Sequence, residues 1–428
     1  MGAQTESQVV ALELERVRDK LPTLYDYDDG FFTSIGKKDV ETISSRDMRV
    51  PLELRPGGNF GYYNPDGGDL GRGSAITYDK ATLASVHLKH GVEVTYKARI
   101  STDEKRKAIV KNFQRQLVKG MAEFRRQTDA QCMGAGDGAV GTITSIATAG
   151  GKDTYTCTTD GFGVKLLRFA QFIAVYDAAF AGSRVITASA GAALDGIAAE
   201  IDLIDPAAKT VRIKGAAAAV VATDRLVVNG LSGATPVGLF GVQYHHNDAS
   251  TGTWLGFDRA LFPEIRANRV NAASGALALP FARLALNKIG DRVGMDKKVN
   301  AVAWMHPAQV QAYEELGQLV SEIHKSPRDE SLNLYFSDSM QMAGATVKPH
   351  FLWDKTRIDF IVGDTWGRAE LDPVGYYEVE GRRVFEVRGA SGGVATSDIF
   401  YLKSSWNAFV DNPARCSYIS NLAVPTGY

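Results

Sequence analysis

Residues 101–126 read STDEKRKAIVKNFQRQLVKGMAEFRR, and this stretch decides the fold. Ser101 and Glu104 form a capping-box pair, Asp103 and Glu104 sit where the positive end of a helix dipole favours acids, and Arg125 and Arg126 close the far end. At 100° per residue, Ile109, Val110, Phe113, Leu117, Met121 and Phe124 fall on one arc, and Lys107, Lys111, Arg115, Lys119 and Arg126 on another. The spacing predicts one amphipathic helix of roughly 40 Å, longer than most helices inside a compact domain. One face requires burial and the other is a rail of cations. Cations at i, i+4 spacing repel by a few tenths of a kcal/mol per pair, so the rail is either a solvated face or one that meets an anionic partner.

Toward the N-terminus, Val50–Leu54 and Thr82–Tyr96 carry extended patterns on either side of a segment crowded with glycine and proline from Pro56 to Gly73. This predicts a long hairpin with a flexible tip. Two strands alone bury too little to be stable in water, so the hairpin must rest on another element or another chain. The stretch Gly67–Gly73 lacks the lysine and the strand-to-helix setting of a phosphate-cradling loop. Before the hairpin, Ser7–Leu21 has a short helical period ending at Pro22, Tyr25–Phe32 is acidic and aromatic, and Lys37–Arg49 has no strong period. The first 49 residues therefore read as an arm that lies on something else.

Beyond the long helix, Gly134, Gly136, Gly138 and Gly141 form a linker, followed by about a hundred residues low in charge with short alternating runs. The spacing predicts a small β-barrel inserted over residues 134–239. From Trp254 the texture is mixed. Asp258–Asn271 and Leu277–Val293 are helical in period, Val299–Trp304 suits a buried strand, and His306-Pro307 opens another helix. Alternating runs at 356–362, 375–379, 383–387 and 398–406 make the end sheet, with late strands expected to pair with early ones in an α+β body.

With 428 residues the chain can bury a large core without staples, and a net charge of −1 excludes binding of nucleic acid through bulk charge. Cys132, Cys157 and Cys416 are odd in number and form no C-x-x-C pair, which predicts free thiols in a reducing compartment. Neither a signal sequence nor an apolar run of membrane-spanning length is present, so a soluble intracellular product is expected. Reacting groups are sparse. His245-His246-x-Asp248 has metal-ligand residue types, but adjacent histidines on an extended chain diverge and a polar loop is the plainer reading. His87 and His90 face opposite sides of a strand, and no nucleophile elbow or Walker loop occurs. No cofactor, metal or catalytic residue is expected.

Arm, hairpin, capped long helix and α+β body, in this order, resemble the major capsid proteins of tailed bacteriophages with the Hong Kong ninety-seven type fold. The hairpin, with its tip Asn64-Pro65-Asp66-Gly67-Gly68, is similar to that family's extended loop, and 101–126 to its spine helix. Gly256–Asp411 is similar to the axial domain running back into the peripheral sheet. Leu255-Gly256-Phe257-Asp258-Arg259, Trp304-Met305-His306-Pro307-Ala308 and Leu332-Asn333-Leu334-Tyr335-Phe336-Ser337 resemble phrases of such sequences.

The resemblance implies an N-terminal arm (1–49), extended hairpin and peripheral strands (50–100), spine helix (101–133), inserted β-barrel (134–239), axial α/β domain (240–398) and C-terminal strands returning to the peripheral antiparallel sheet (399–428). It implies a virion shell protein, not an enzyme, that assembles in the host bacterial cytoplasm as pentamers and hexamers around double-stranded DNA, without sequence preference and without a membrane. With only about fifty residues before the hairpin, it implies a separate scaffolding protein, besides portal and decoration proteins. Lys107, Lys111, Arg115 and Lys119 would face the anionic interior, and Arg55, Asp66, Asp69 and Arg72 would make intersubunit ion pairs at the hairpin. The alternatives are a cellular nanocompartment shell of the same fold, or a small-oligomer enzyme or binding protein with an added β-domain.

Overall fold

A computed structural model describes residues 30–38, 41–42, 47–62, 66, 71–95, 112–158, 163–169, 171–177, 200–206, 208–215, 220–228, 238–294, 296, 300–324, 341–388 and 394–426. The fold is α+β. The chain divides into two compact units, whose described parts are 87–129 with 372–406, and 30–86 with 130–371 and 407–426.

In the second unit, helix α1 (Gly30–Ser34) precedes strands β1 (Glu41–Thr42), β2 (Asp47–Arg55) and β3 (Thr77–Ala84), which pair antiparallel in the order β1-β2-β3. The expected hairpin is therefore present. Its second arm, however, is not the single run 82–96: β3 stops at Ala84, and strand β4 (Val86–Thr95) joins a different sheet. The pattern continues through Ser85, so periodicity alone could not show the break.

The first unit is built on that other sheet. Strand β4 pairs with the long strand β20 (Val394–Val410), which also pairs with β18 (Trp366–Tyr376) and β19 (Val384–Arg388). Helix α2 (Asn112–Gln131) runs five residues past Arg126, the stop that the basic pair marks in the sequence. The buried stripe of Gly120, Phe124 and Thr128 carries it on, and the Thr128 hydroxyl donates to Phe124 O at 2.7 Å. A side chain at Gly120 would stand 3.4 Å from Val92 and 3.8 Å from Leu402 and Phe400, so the missing Cβ lets helix and sheet close together. His90 stacks near Phe124, and burial lowers its pKa despite a hydrogen bond with Gln127. The capping pair Ser101/Glu104 lies outside the described residues.

The insert belongs to the second unit. Strands β5 (Ala139–Ala149), β6 (Lys152–Thr158), β7 (Ile173–Tyr176), β8 (Ile201–Asp205), β9 (Thr210–Ile213) and β10 (Arg225–Val228) form an antiparallel sheet ordered β7-β10-β5-β6-β9-β8. The expected barrel is not closed. Its outer strands meet only at their entry, in a bridge between Phe172 and Glu200 and a bond from Ile201 N to Gln171 O. Each pairs on its inner side, β7 with β10 and β8 with β9, and among the described residues no ladder joins β7 to β8. At the neck, Val242 N donates to Cys132 O, and a Cβ at Gly241 would lie 2.2 Å from that oxygen, so only glycine fits.

The body of the second unit is a mixed six-stranded sheet. Helix α3 (Val242–His245) and the β11–β12 pair (Thr253–Trp254, Phe257–Asp258) lead into strands β13 (Asn268–Asn271), β14 (Ala301–Met305), β15 (Gln341–Met342), β16 (Ala345–Pro349), β17 (Ile358–Val362) and β21 (Ser417–Ser420). Their order is β13-β21-β17-β14-β16-β15, with β13–β21 and β14–β16 parallel. Helices α4 (Leu279–Val293) and α5 (Pro307–His324) bury Ala282, Ala285, Leu286, Ile289 and Val310 in the core of that sheet. The C-terminal strands thus divide between two sheets: the first part of β20 lies with β4, and β21 lies in this body, between β13 and β17.

Within this sheet, Asp359 on β17 is fully enclosed. Its oxygens accept from Arg357 Nε and Nη2 (2.7–3.0 Å), His246 Nδ1 (2.7 Å) and Trp353 Nε1 (2.8 Å). Burial by itself would raise its pKa, but Arg357 and then His246 hold it below the usual carboxylate range. Burial likewise pushes His246 down, yet Cys416 and Asp359 raise it to about 9. Neighbouring His245 goes the other way, to about 3, because it is buried; Trp254 Nε1 donates to its Nδ1 and its Nε2 donates to Ala408 O. The sequence expectation of a polar loop at 245–248 is thereby corrected, since both rings are interior. Trp353 in turn joins Phe31, Trp304 and Trp366 in one aromatic cluster.

Asp359→Asn should cost about 3–5 kcal/mol in denaturant unfolding, because Arg357 is left buried without its counter-charge. His246, raised in the fold, contributes stability that is full below about 6.5 and fades as pH rises through about 9. Unfolding free energy measured from pH 6 to 10 should show that decline in the parent chain, and a flat profile would show that His246 is not protonated in the fold.

Candidate assembly surfaces

The hairpin is packed at its base and tethered farther out by Arg55. Met48, Val50, Ala81 and Leu83 are buried together with Trp254, Leu255, Phe257 and Ala369, and Thr82 N donates to Leu255 O. Beyond Pro51 the residues are exposed or half-buried, but the two arms stay paired. Gly58 N donates to Ser74 O at 2.7 Å, the Ser74 hydroxyl returns to Gly58 O at 2.8 Å, and a Cβ at Gly57 would strike Ile76 N at 2.6 Å. At the end of this ordered ladder stand Phe60, 94% exposed, and Tyr62, 101% exposed, with Tyr78 exposed on β3. The Phe60 and Tyr62 rings meet edge to face with their centroids 6.3 Å apart. Together these rings make an exposed apolar patch on the hairpin.

The four hairpin charges separate. Arg55 is occupied inside the chain, with Nη2 donating to Leu261 O at 2.6 Å, its guanidinium over the Phe262 ring, and Glu264 at 3.8 Å. Asp66 and Arg72 are exposed, and Asp69 lies outside the described residues. Of the rail, Lys107 and Lys111 also lie outside them; Arg115 falls within α2, and Lys119 is half-buried on it. Phe60 and Tyr62 were not singled out by sequence reasoning, although three aromatics, Phe60, Tyr62 and Tyr63, around Gly61 in a stretch rich in turn residues are a readable signal.

His246 and His245 are committed to the contacts described above, and among the described residues no group of three His, Cys, Asp or Glu side chains is arranged to hold a metal. Cys132, Cys157 and Cys416 are buried and form no disulfide among the described residues, and burial pushes the Cys157 thiol up to about 12. Among the described residues no helix is long and apolar enough to cross a membrane.

No family model and no curated protein matches the sequence. Among solved structures, the capsid asymmetric unit of cyanophage A-1(L) matches 95% of this chain and 96% of its own, with a TM-score of 0.56 and 11% identity. The chain has a phage capsid fold. Two further shells match at lower TM-scores of 0.46: the capsid of the native GTA particle (11% identity, 97% and 99% covered) and the holo-SrpI encapsulin complex from Synechococcus elongatus (10% identity, 100% and 98% covered). Within the capsid fold, a hairpin arm and a helix lying on the β4–β20 sheet are the elements that the sequence order led one to expect.

Replacing both Phe60 and Tyr62 with Ser should leave the unfolding free energy of the isolated subunit within about 0.5 kcal/mol of the parent, as expected of surface positions. A loss of several kcal/mol in chemical denaturation would mean that the rings pack within their own chain.

Proposed function

We propose that this chain is the major subunit of a phage head, assembling with itself as pentamers and hexamers into an icosahedral shell around double-stranded DNA. The observation that carries the reading is the exposed aromatic pair at the end of the paired hairpin, beyond the last contact with its own chain at Arg55. Burying two such rings against a neighbour contributes about 3–6 kcal/mol per copy, and in a closed shell every copy gains it. The role is structural rather than catalytic. In this reading the arm (1–49) and hairpin reach other copies, the insert (134–239) is a self-contained appendage, and a separate scaffolding protein, a portal and a decoration protein complete the head. The rail of Lys107, Lys111, Arg115 and Lys119 faces the interior, where phosphates or an acidic scaffold relieve its self-repulsion, and Asp66, Asp69 and Arg72 pair across subunits, each exposed pair contributing about 0–1 kcal/mol.

Deleting residues 57–73 should leave a folded subunit, judged by circular dichroism, that forms no closed particles by electron microscopy. Normal shells from that deletion would remove the hairpin from the assembly mechanism.

A further inference from the structure

On the body of the second unit, a groove of about 380 Å³ opens between the C-terminal end of α4 and strand β13. Asp248, Asn268, Arg269, Lys288, Asp291 and Arg292 line it. Its cations are held by neutral oxygens. Arg292 donates to Arg266 O, Asn268 Oδ1 and Pro263 O (2.6–3.1 Å), Lys288 Nζ to Arg269 O (2.6 Å), and Arg269 Nε to the Ser420 hydroxyl (2.8 Å). Arg266, adjoining, donates to Arg259 O. Among the described residues, none of Arg259, Arg266, Lys288 and Arg292 has a carboxylate within 4 Å; Arg269 alone has one, Asp248 at 3.9 Å, and Tyr418 already occupies the other oxygen of that acid at 2.6 Å.

Three cations, Arg269, Lys288 and Arg292, line the groove against two acids, Asp248 and Asp291. Burial lowers the pKa of Arg292 first, Glu264 opposes this, and the charge of Arg266 lowers it further. Cations tied to carbonyls keep their full charge, and an anion from outside the site would relieve the repulsion that the nearby acids leave. Two N–H bonds of Lys288 and the remaining guanidinium N–H groups of Arg269 and Arg292 are uncommitted among these bonds, on two elements lining one groove. Planar guanidinium forks beside an ammonium suit a tetrahedral oxyanion, whose oxygens can accept from several donors at once.

We propose that this groove binds a phosphate-type oxyanion, held by Arg269, Lys288 and Arg292. The source is a free phosphate group or a nucleic-acid backbone; only the second source rests on the shell reading. Full-length protein is titrated with inorganic phosphate at constant ionic strength, with chloride as control, by calorimetry. Saturable binding is expected, at least tenfold weaker in Lys288→Gln and several-fold tighter in Asp291→Asn, an exposed position whose change removes a competing acid without disturbing a contact. Melting temperatures of both variants are read alongside. Absence of saturable binding, or equal affinity in the parent and both variants, overturns the proposal. In a second arm a short DNA duplex is added: weaker duplex binding by Lys288→Gln, with competition by phosphate, assigns the backbone as source, and unchanged duplex binding assigns free phosphate. Particle formation is scored on the same preparation, so shells without phosphate binding overturn the groove alone, and phosphate binding without shells overturns the assembly reading alone.

Discussion

The body of this protein depends on one enclosed carboxylate. Asp359 is removed from water and remains charged because Arg357 grips it bidentately while His246 and Trp353 occupy its remaining acceptor positions. Each partner fixes a different piece of chain. His246 brings in the segment after α3, Trp353 brings in the turn after β16 and with it the aromatic cluster of Phe31, Trp304 and Trp366, and Arg357 lies 4.1 Å over Tyr418, whose hydroxyl donates to Asp248. Apolar residues would fill the same volume with less desolvation cost, but they would not dictate which segments meet. The network determines register in a body whose strands come from distant parts of the sequence.

Against that rigid body, the hairpin obeys the opposite rule. Its base is packed on Trp254 and Phe257, its middle is held by backbone ladder bonds, and its end presents aromatic rings to solvent. The rings at its end bury nothing within the described residues, and their burial would have to be completed by another molecule. In the proposed shell, the arm's internal order would lower the entropy lost on docking.

Element order was legible in the sequence because it rests on local signals. The hairpin followed from its glycine-crowded tip, the long helix from its 3.6-residue stripe, and the α+β body from a change of period after Trp254. What was not legible was long-range. Ser85 divides two sheets although the alternation runs through it, β21 and β20 part company although both read as strand, and the insert's outer strands do not close into a barrel, which spacing alone cannot reveal. At the candidate surfaces, charge was a poor guide: Arg55 looked available and is engaged by Leu261, Phe262 and Glu264, whereas the uncharged Phe60 and Tyr62 are the residues left bare. The Asp359 network joins positions more than a hundred residues apart, so no window of sequence contains it.

Sedimentation velocity of the full-length chain over rising concentration tests the assembly claim most directly. The account predicts a threshold above which a boundary of megadalton mass appears beside free subunits, as expected for a closed shell with repeated weak contacts. A single small species at every concentration, with Phe60 and Tyr62 intact, would contradict it.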